Sequence, residues 1–186
     1  MALDDLWYLA DEADQRAEQA YHRLRERHDG FIERRREKRV SRRRFRTLAG
    51  RIRDSGAPYG AHTIVYRPSG DLLLVRHDAV DMWVLPGGEV DPGESFHGTA
   101  RRELAEEAGV EVSYEGLGVL GRVEVSAGSY DTWGVLPVYA ARASAEATPR
   151  VRDPDGEISE ARWFTELPED TRDRDILREW RRRWLD

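Results

Sequence analysis

The chain has 186 residues and a mass of 21.4 kDa, 39% of them hydrophobic, with a net charge of -6; this is one domain's length with apolar content for a core, which excludes a wholly disordered chain. It contains no cysteine, so a disulfide scaffold, a thiolate zinc site and a cysteine nucleophile are excluded. No apolar run approaches the ~20 residues that a membrane span needs, and the start of the chain carries Asp4 and Asp5 in place of a secretory pattern, so a cytoplasmic protein without a membrane partner is expected.

The charge is unevenly spread, with -4 over residues 1–30, +8 over 31–56 and -10 over 57–186. The first segment predicts a helix. Leu3, Leu6, Ala10, Ala13, Ala17, Ala20 and Leu24 alternate spacings of three and four, the seam of a heptad pattern. Asp29 and Gly30 break it. A second helical stretch is expected over residues 32–53, carrying the basic block, with Ser41 able to cap a fresh helix inside it. Between Arg34 and Arg46, nine of thirteen residues are cationic.

Residues 55–60 read as a linker, and the texture then changes. Residues 62–67 and 72–77 read as strands joined by a turn at Pro68 to Asp71. Residues 82–85 form a short apolar strand stopped by Pro86, Gly87 and Gly88. Residues 95–108 predict a helix with Gly109 at its C-terminal turn. Strands are expected over 117–125, 132–141 and 161–164, with a polar loop at 149–156. A closing helix over 171–185 places Leu177, Trp180 and Trp184 on one face.

The helix at 95–108 is unusual. Phe96, Ala100, Leu104 and Ala108 make a stripe four residues apart, while Glu103, Glu106 and Glu107 crowd the neighbouring face. Like charges at these spacings destabilise a helix by roughly 0.2–0.5 kcal/mol per pair. A hard divalent cation, Mg²⁺ or Mn²⁺, would offset the repulsion; the plain alternative is a solvated acidic face.

The wider stretch decides between them. Gly88, Glu94, Arg102, Glu103, Leu104, Glu106, Glu107, Gly109 and Val110 fill every fixed position of the pattern G-x5-E-x7-R-E-U-x-E-E-x-G-U. The sequence therefore resembles the Nudix hydrolase family over roughly residues 60–185. The resemblance implies an α/β fold, an α/β/α sandwich around a mixed sheet, with an added N-terminal α-helical region. It divides the chain into an extension at 1–55, a helical hairpin or dimerisation element, and a hydrolase domain at 56–186.

The resemblance also implies chemistry: water attacks a phosphorus of a nucleoside diphosphate linked to another group. By it, Glu106 and Glu107 match the metal-binding pair, and Glu103 matches a glutamate that is a ligand or the base. Arg102 matches the arginine that positions a catalytic carboxylate, Glu94 its salt-bridge partner, and the Gly87 carbonyl an additional ligand. Glu157, six residues before Trp163, matches a loop carboxylate acting as extra ligand or base; a merely solvated loop reads the same way. Arg76 and Arg122 are candidates for substrate phosphates, against the plainer reading of surface pairs.

Two further expectations concern partners. The heptad seam pairs with a symmetry mate as a homodimer or folds back on its own domain. The basic block is a solvated face, or lies against the acidic domain or the acidic first helix, in preference to a nucleic-acid contact, the latter going with a Nudix-fold ligand sensor instead of an enzyme. A small-molecule nucleotide is the expected substrate, and the markers of the family's substrate subgroups are absent.

Overall fold

The computed structural model describes residues 2–186, with side chains from Asp5 onward. Helix α1 (Ala2–Arg27) leads into strand β1 (Ile32–Arg39) and helix α2 (Arg42–Ser55). Strands β2 (Ala61–Tyr66), β3 (Leu72–His77), β4 (Met82–Val84) and β5 (Gly87–Gly88) precede helix α3 (Phe96–Glu107). A long hairpin of β6 (Val112–Ala127) and β7 (Tyr130–Ala143), then β8 (Ile158–Phe164) and helix α4 (Arg174–Trp184), complete the chain. Among the described residues no helix is long and apolar enough to cross a membrane.

The strands make one mixed sheet in the order β1-β6-β7-β2-β3-β4, with β5 added on β2 and β8 on β3. The pairs β1–β6 and β2–β7 are parallel and the rest antiparallel. Alternate residues of a strand point to opposite faces, and the central strands show it. Ile64, Leu72 and Leu74 pack with Ile176, Leu177 and Trp180 of α4. Their neighbours Val65, Leu73 and Val75 pack with Leu104 and Ala108 of α3. Two helices on opposite faces of a mixed sheet are the α/β/α arrangement expected. Gly118 of β6 permits one of these contacts, since a Cβ there would lie 2.8 Å from Nε1 of Trp180.

The N-terminal segment differs from expectation at one place. Residues 32–39, expected as helix, form β1, an edge strand paired in register with β6 from Ile32↔Val119 to Arg39↔Ser126. The physical reason is charge alternation. Arg34 and Arg36 reach Glu179 and Asp173 around α4, while Arg35 reaches Glu124 on β6 at 2.6 Å. Helix begins only at Arg42, where the Ser41 side chain accepts the Arg44 N–H at 3.2 Å.

The seam of α1 is covered within the chain. Leu6, Ala10, Ala13, Ala17, Ala20 and Leu24 are all buried, in one cluster with Phe45, Leu48 and Ile52 of α2 and with the β6–β7 hairpin. The small side chains of Ala13 and Ala17, fully buried, let the helices approach closely. The side chain of Leu3, the first seam residue, lies outside the described residues. Tyr130 and Trp133 belong to the same core, at 1% and 7% exposure.

Candidate active site

The site grows from the turn between β5 and α3. Gly88 approaches α3 so closely that a Cβ on it would meet Glu103 Oε1 at 2.5 Å, so a side chain there would displace the carboxylate from its present position. Ser95 caps α3 by accepting the Gly98 N–H at 3.0 Å. Gly109 ends it in the left-handed region, φ 60°, and its N–H donates to the Leu104 carbonyl at 3.0 Å.

Arg102 is the hub. Its Nε and Nη2 donate to the two oxygens of Glu94 at 3.0 and 3.1 Å. Its Nη1 donates to Glu103 at 2.7 Å and reaches Glu106 at 3.5 Å, and Nη2 also donates to the Glu89 carbonyl at 3.1 Å. A planar fork with five N–H groups can serve this many acceptors; an ammonium cannot. Glu94 accepts further bonds from the Thr99 hydroxyl at 2.7 Å and the Asp91 N–H at 3.2 Å. Arg102 foremost, with these donors, holds its carboxyl down at about 2.

Glu107 is the opposite case. It is 7% exposed and accepts the Gly87 N–H at 2.9 Å. Burial pushes it up to about 8, and the charges of Glu103, Asp153 and Glu157 add to the rise. Glu103 is also raised, by burial first, with Arg102 opposing. Beside them His62, opposite Gly87 in the β2–β5 pair, is half-buried and pushed down to about 4, first by desolvation and then by Arg172.

A loop closes the far side. The Arg150 and Arg152 N–H groups donate to the Ala108 and Glu106 carbonyls at 2.6 and 2.7 Å, docking the loop on the end of α3. Asp153 organises it, accepting from the backbone N–H groups of Asp155, Glu157 and Ile158. Glu157 is thereby brought to the cluster, with its side chain 62% exposed and 3.7 Å from His77 Nε2. Asp153 and Asp155 enter the same field, on Glu107 and Glu103 respectively. Sequence reasoning passed over both. The available signal was the acidic spacing within residues 153–157, which has no periodicity to separate it from a solvated loop.

The two arginine candidates are held by other partners. Arg76 pairs with Asp81 and Asp170 and lies over the Trp83 ring. Arg122 lies over the Trp133 ring at 3.8 Å and pairs with Glu124 at 3.3 Å. None of these contacts involves α3.

Among the described residues no three acidic or imidazole groups converge tightly enough to hold a metal; Arg102 draws Glu103 and Glu106 to itself. The donor set nonetheless fits one. Glu94, Glu103 and Glu106 surround a single guanidinium, and the buried Glu107 accepts an N–H but pairs with no cation among the described residues. Excess negative charge on hard oxygens is what a hard divalent cation satisfies.

The model of the NUDIX domain matches residues 56–185. The chain belongs to the NUDIX family, whose hydrolases generally use divalent metals. A candidate 8-oxo-dGTP diphosphatase of Bacillus subtilis (strain 168) is 52% identical over 50 residues, 27% of this chain and 34% of that protein. The asymmetrical bis(5'-nucleosyl)-tetraphosphatase of Mus musculus is 50% identical over 42 residues, 23% of this chain and 29% of that protein. These matches thus span about a third of the relatives' length. Among solved structures, a MutT NUDIX hydrolase from Burkholderia pseudomallei is 30% identical, with 64% of this chain and 94% of that chain covered and a TM-score of 0.47.

Proposed function

We propose that the chain is a Mg²⁺- or Mn²⁺-dependent pyrophosphohydrolase. It cleaves a phosphoanhydride bond of a nucleoside diphosphate linked to another group, such as a nucleotide sugar, an ADP-ribose-type compound or a nucleoside triphosphate. The observation that carries this reading is the folded box itself. Arg102 gathers Glu94, Glu103 and Glu106 on one side, and Glu107 is buried against the Gly87 N–H on the other.

Each residue then has a part. Glu103, Glu106 and Glu107, with the Gly87 carbonyl, would hold the cation. When bound, the cation neutralises the phosphoanhydride and lowers the pKa of water. Glu94 locks Arg102, and Arg102 orients Glu103. Glu103, held by Arg102, is the base that receives the proton of the attacking water. Glu157 adds a carboxylate from the loop. Proton transfer by a positioned group contributes typically about 10²–10⁴-fold.

The test is a substrate panel with Mg²⁺ or Mn²⁺, following nucleotide release from ADP-ribose, dinucleoside polyphosphates and nucleoside triphosphates including 8-oxo-dGTP. Turnover of at least one compound, abolished by chelation, is expected. No turnover anywhere on the panel would overturn the reading.

A further inference from the structure

A groove of about 960 Å³ opens between α1 and the loop entering α3. It adjoins the carboxylate cluster at Glu94, which lines it, whereas Glu103, Glu106 and Glu107 do not. One wall belongs to the N-terminal segment, outside the matched NUDIX region.

That wall is cationic. Arg16, Arg23 and Arg27 are seven and four residues apart and share a face of α1. None has a carboxylate partner or a hydrogen bond among the described residues. The Arg16 Nε is shielded from solvent and unpartnered, an arrangement that costs stability unless something accepts from it. The groove's own carboxylates are already engaged. Asp54 pairs with Arg53 at 2.9 Å, and Asp91 and Glu94 pair with Arg102 at 3.6 and 3.0 Å. The carboxylates that line the groove thus pair with Arg53 and Arg102, and the α1 arginines keep their N–H donors free of them.

The opposite end is aromatic. His97 meets Tyr114 and Tyr139 edge-on, with centroids 4.7 and 5.3 Å apart, and Phe96 lines the space beside them. Guanidinium groups recognise phosphate through paired N–H donors, and aromatic rings present faces and edges to a base.

We propose that this groove is a second ligand site, for a phosphate-bearing aromatic compound, a nucleotide, with Arg16, Arg23 and Arg27 on the phosphate and the His97–Tyr114–Tyr139 cluster against the base. The site stands independently of the catalytic reading. It has a route to the cluster, because Glu94 faces the groove and also clamps Arg102. The nucleotide has two sources, a free effector or the far end of the substrate.

The experiment is binding of AMP, and separately of inorganic phosphate, to the full chain in EDTA. Without a divalent cation the carboxylate cluster repels phosphate, so the signal reports the groove. Saturable binding of one AMP per chain is expected. The Arg23→Ala/Arg27→Ala double variant, altered only at exposed positions of α1, is expected to bind AMP at least tenfold more weakly with an unchanged thermal midpoint. Phosphate alone is expected to bind at least tenfold more weakly than AMP, and Glu107→Gln to bind AMP as the native chain does. Absent saturation, equal binding by the double variant, equal affinity for phosphate and AMP, or loss of binding in Glu107→Gln would each overturn the proposal. Kinetics separate the sources. A raised KM at unchanged kcat in the double variant marks the substrate's far end, and a change in kcat on adding AMP at saturating substrate marks an effector.

Discussion

At the scale of single residues, Arg102 concentrates the site's electrostatics. It bridges three glutamates, one on the loop and two on its own helix. Arg102→Ala is expected to lower kcat by about 10–100-fold, the range seen when a partner that orients a metal ligand is lost. Arg102→Lys should recover little, because a point charge cannot bridge Glu94 through two parallel bonds while holding Glu103. Steady-state kinetics at saturating Mg²⁺ check both; full activity in Arg102→Lys would show that charge alone suffices. This cluster was legible in the sequence because all its members lie within one short segment, in fixed helical register. Asp153 and Asp155 were not, since a loop's approach to α3 depends on backbone bonds to the Glu106 and Ala108 carbonyls. Arg76 and Arg122 illustrate the converse. A strand-borne arginine is visible in sequence, but the rings of Trp83 and Trp133 that it lies over are brought to it only by strand pairing.

At the scale of elements, β1 shows where apolar periodicity fails. A half-buried edge strand can cover its inner face with arginine stems, so residues 32–39 carry no run of alternating apolar side chains. Their period of two resides in distant partners, with Arg34 and Arg36 answered from residues 179 and 173 and Arg35 from residue 124. Helix α1, by contrast, was legible residue by residue through its seam. Its burial within the chain gives a direct prediction. Ala17 is fully buried, and Ala17→Leu should overpack the contact and cost about 1–3 kcal/mol. Denaturant unfolding measures it, with a midpoint shift independent of protein concentration. A shift that vanishes at high concentration would mean that the seam serves a second copy instead.

At the scale of the whole molecule, protons and the cation compete for one set of carboxylates. Burial raises Glu107 to about 8, above its ordinary 4.5. In metal-free protein this group therefore favours the fold below pH 4.5, and that contribution is lost as pH rises to about 8. A bound cation requires the ionised form and reverses the trend. The rise in thermal midpoint on adding Mg²⁺ should thus grow between pH 6 and 8 and level off above. A rise that stays constant over that range would contradict the assignment of Glu107. The most direct measurement remains turnover by the native chain and by Glu107→Gln under saturating Mg²⁺ with the best substrate of the panel. Loss of kcat by at least about 100-fold in the variant, with its fold retained, is expected, since a metal ligand supports several kcal/mol of transition-state stabilisation. Full turnover by Glu107→Gln would contradict a hydrolase built on this carboxylate cluster.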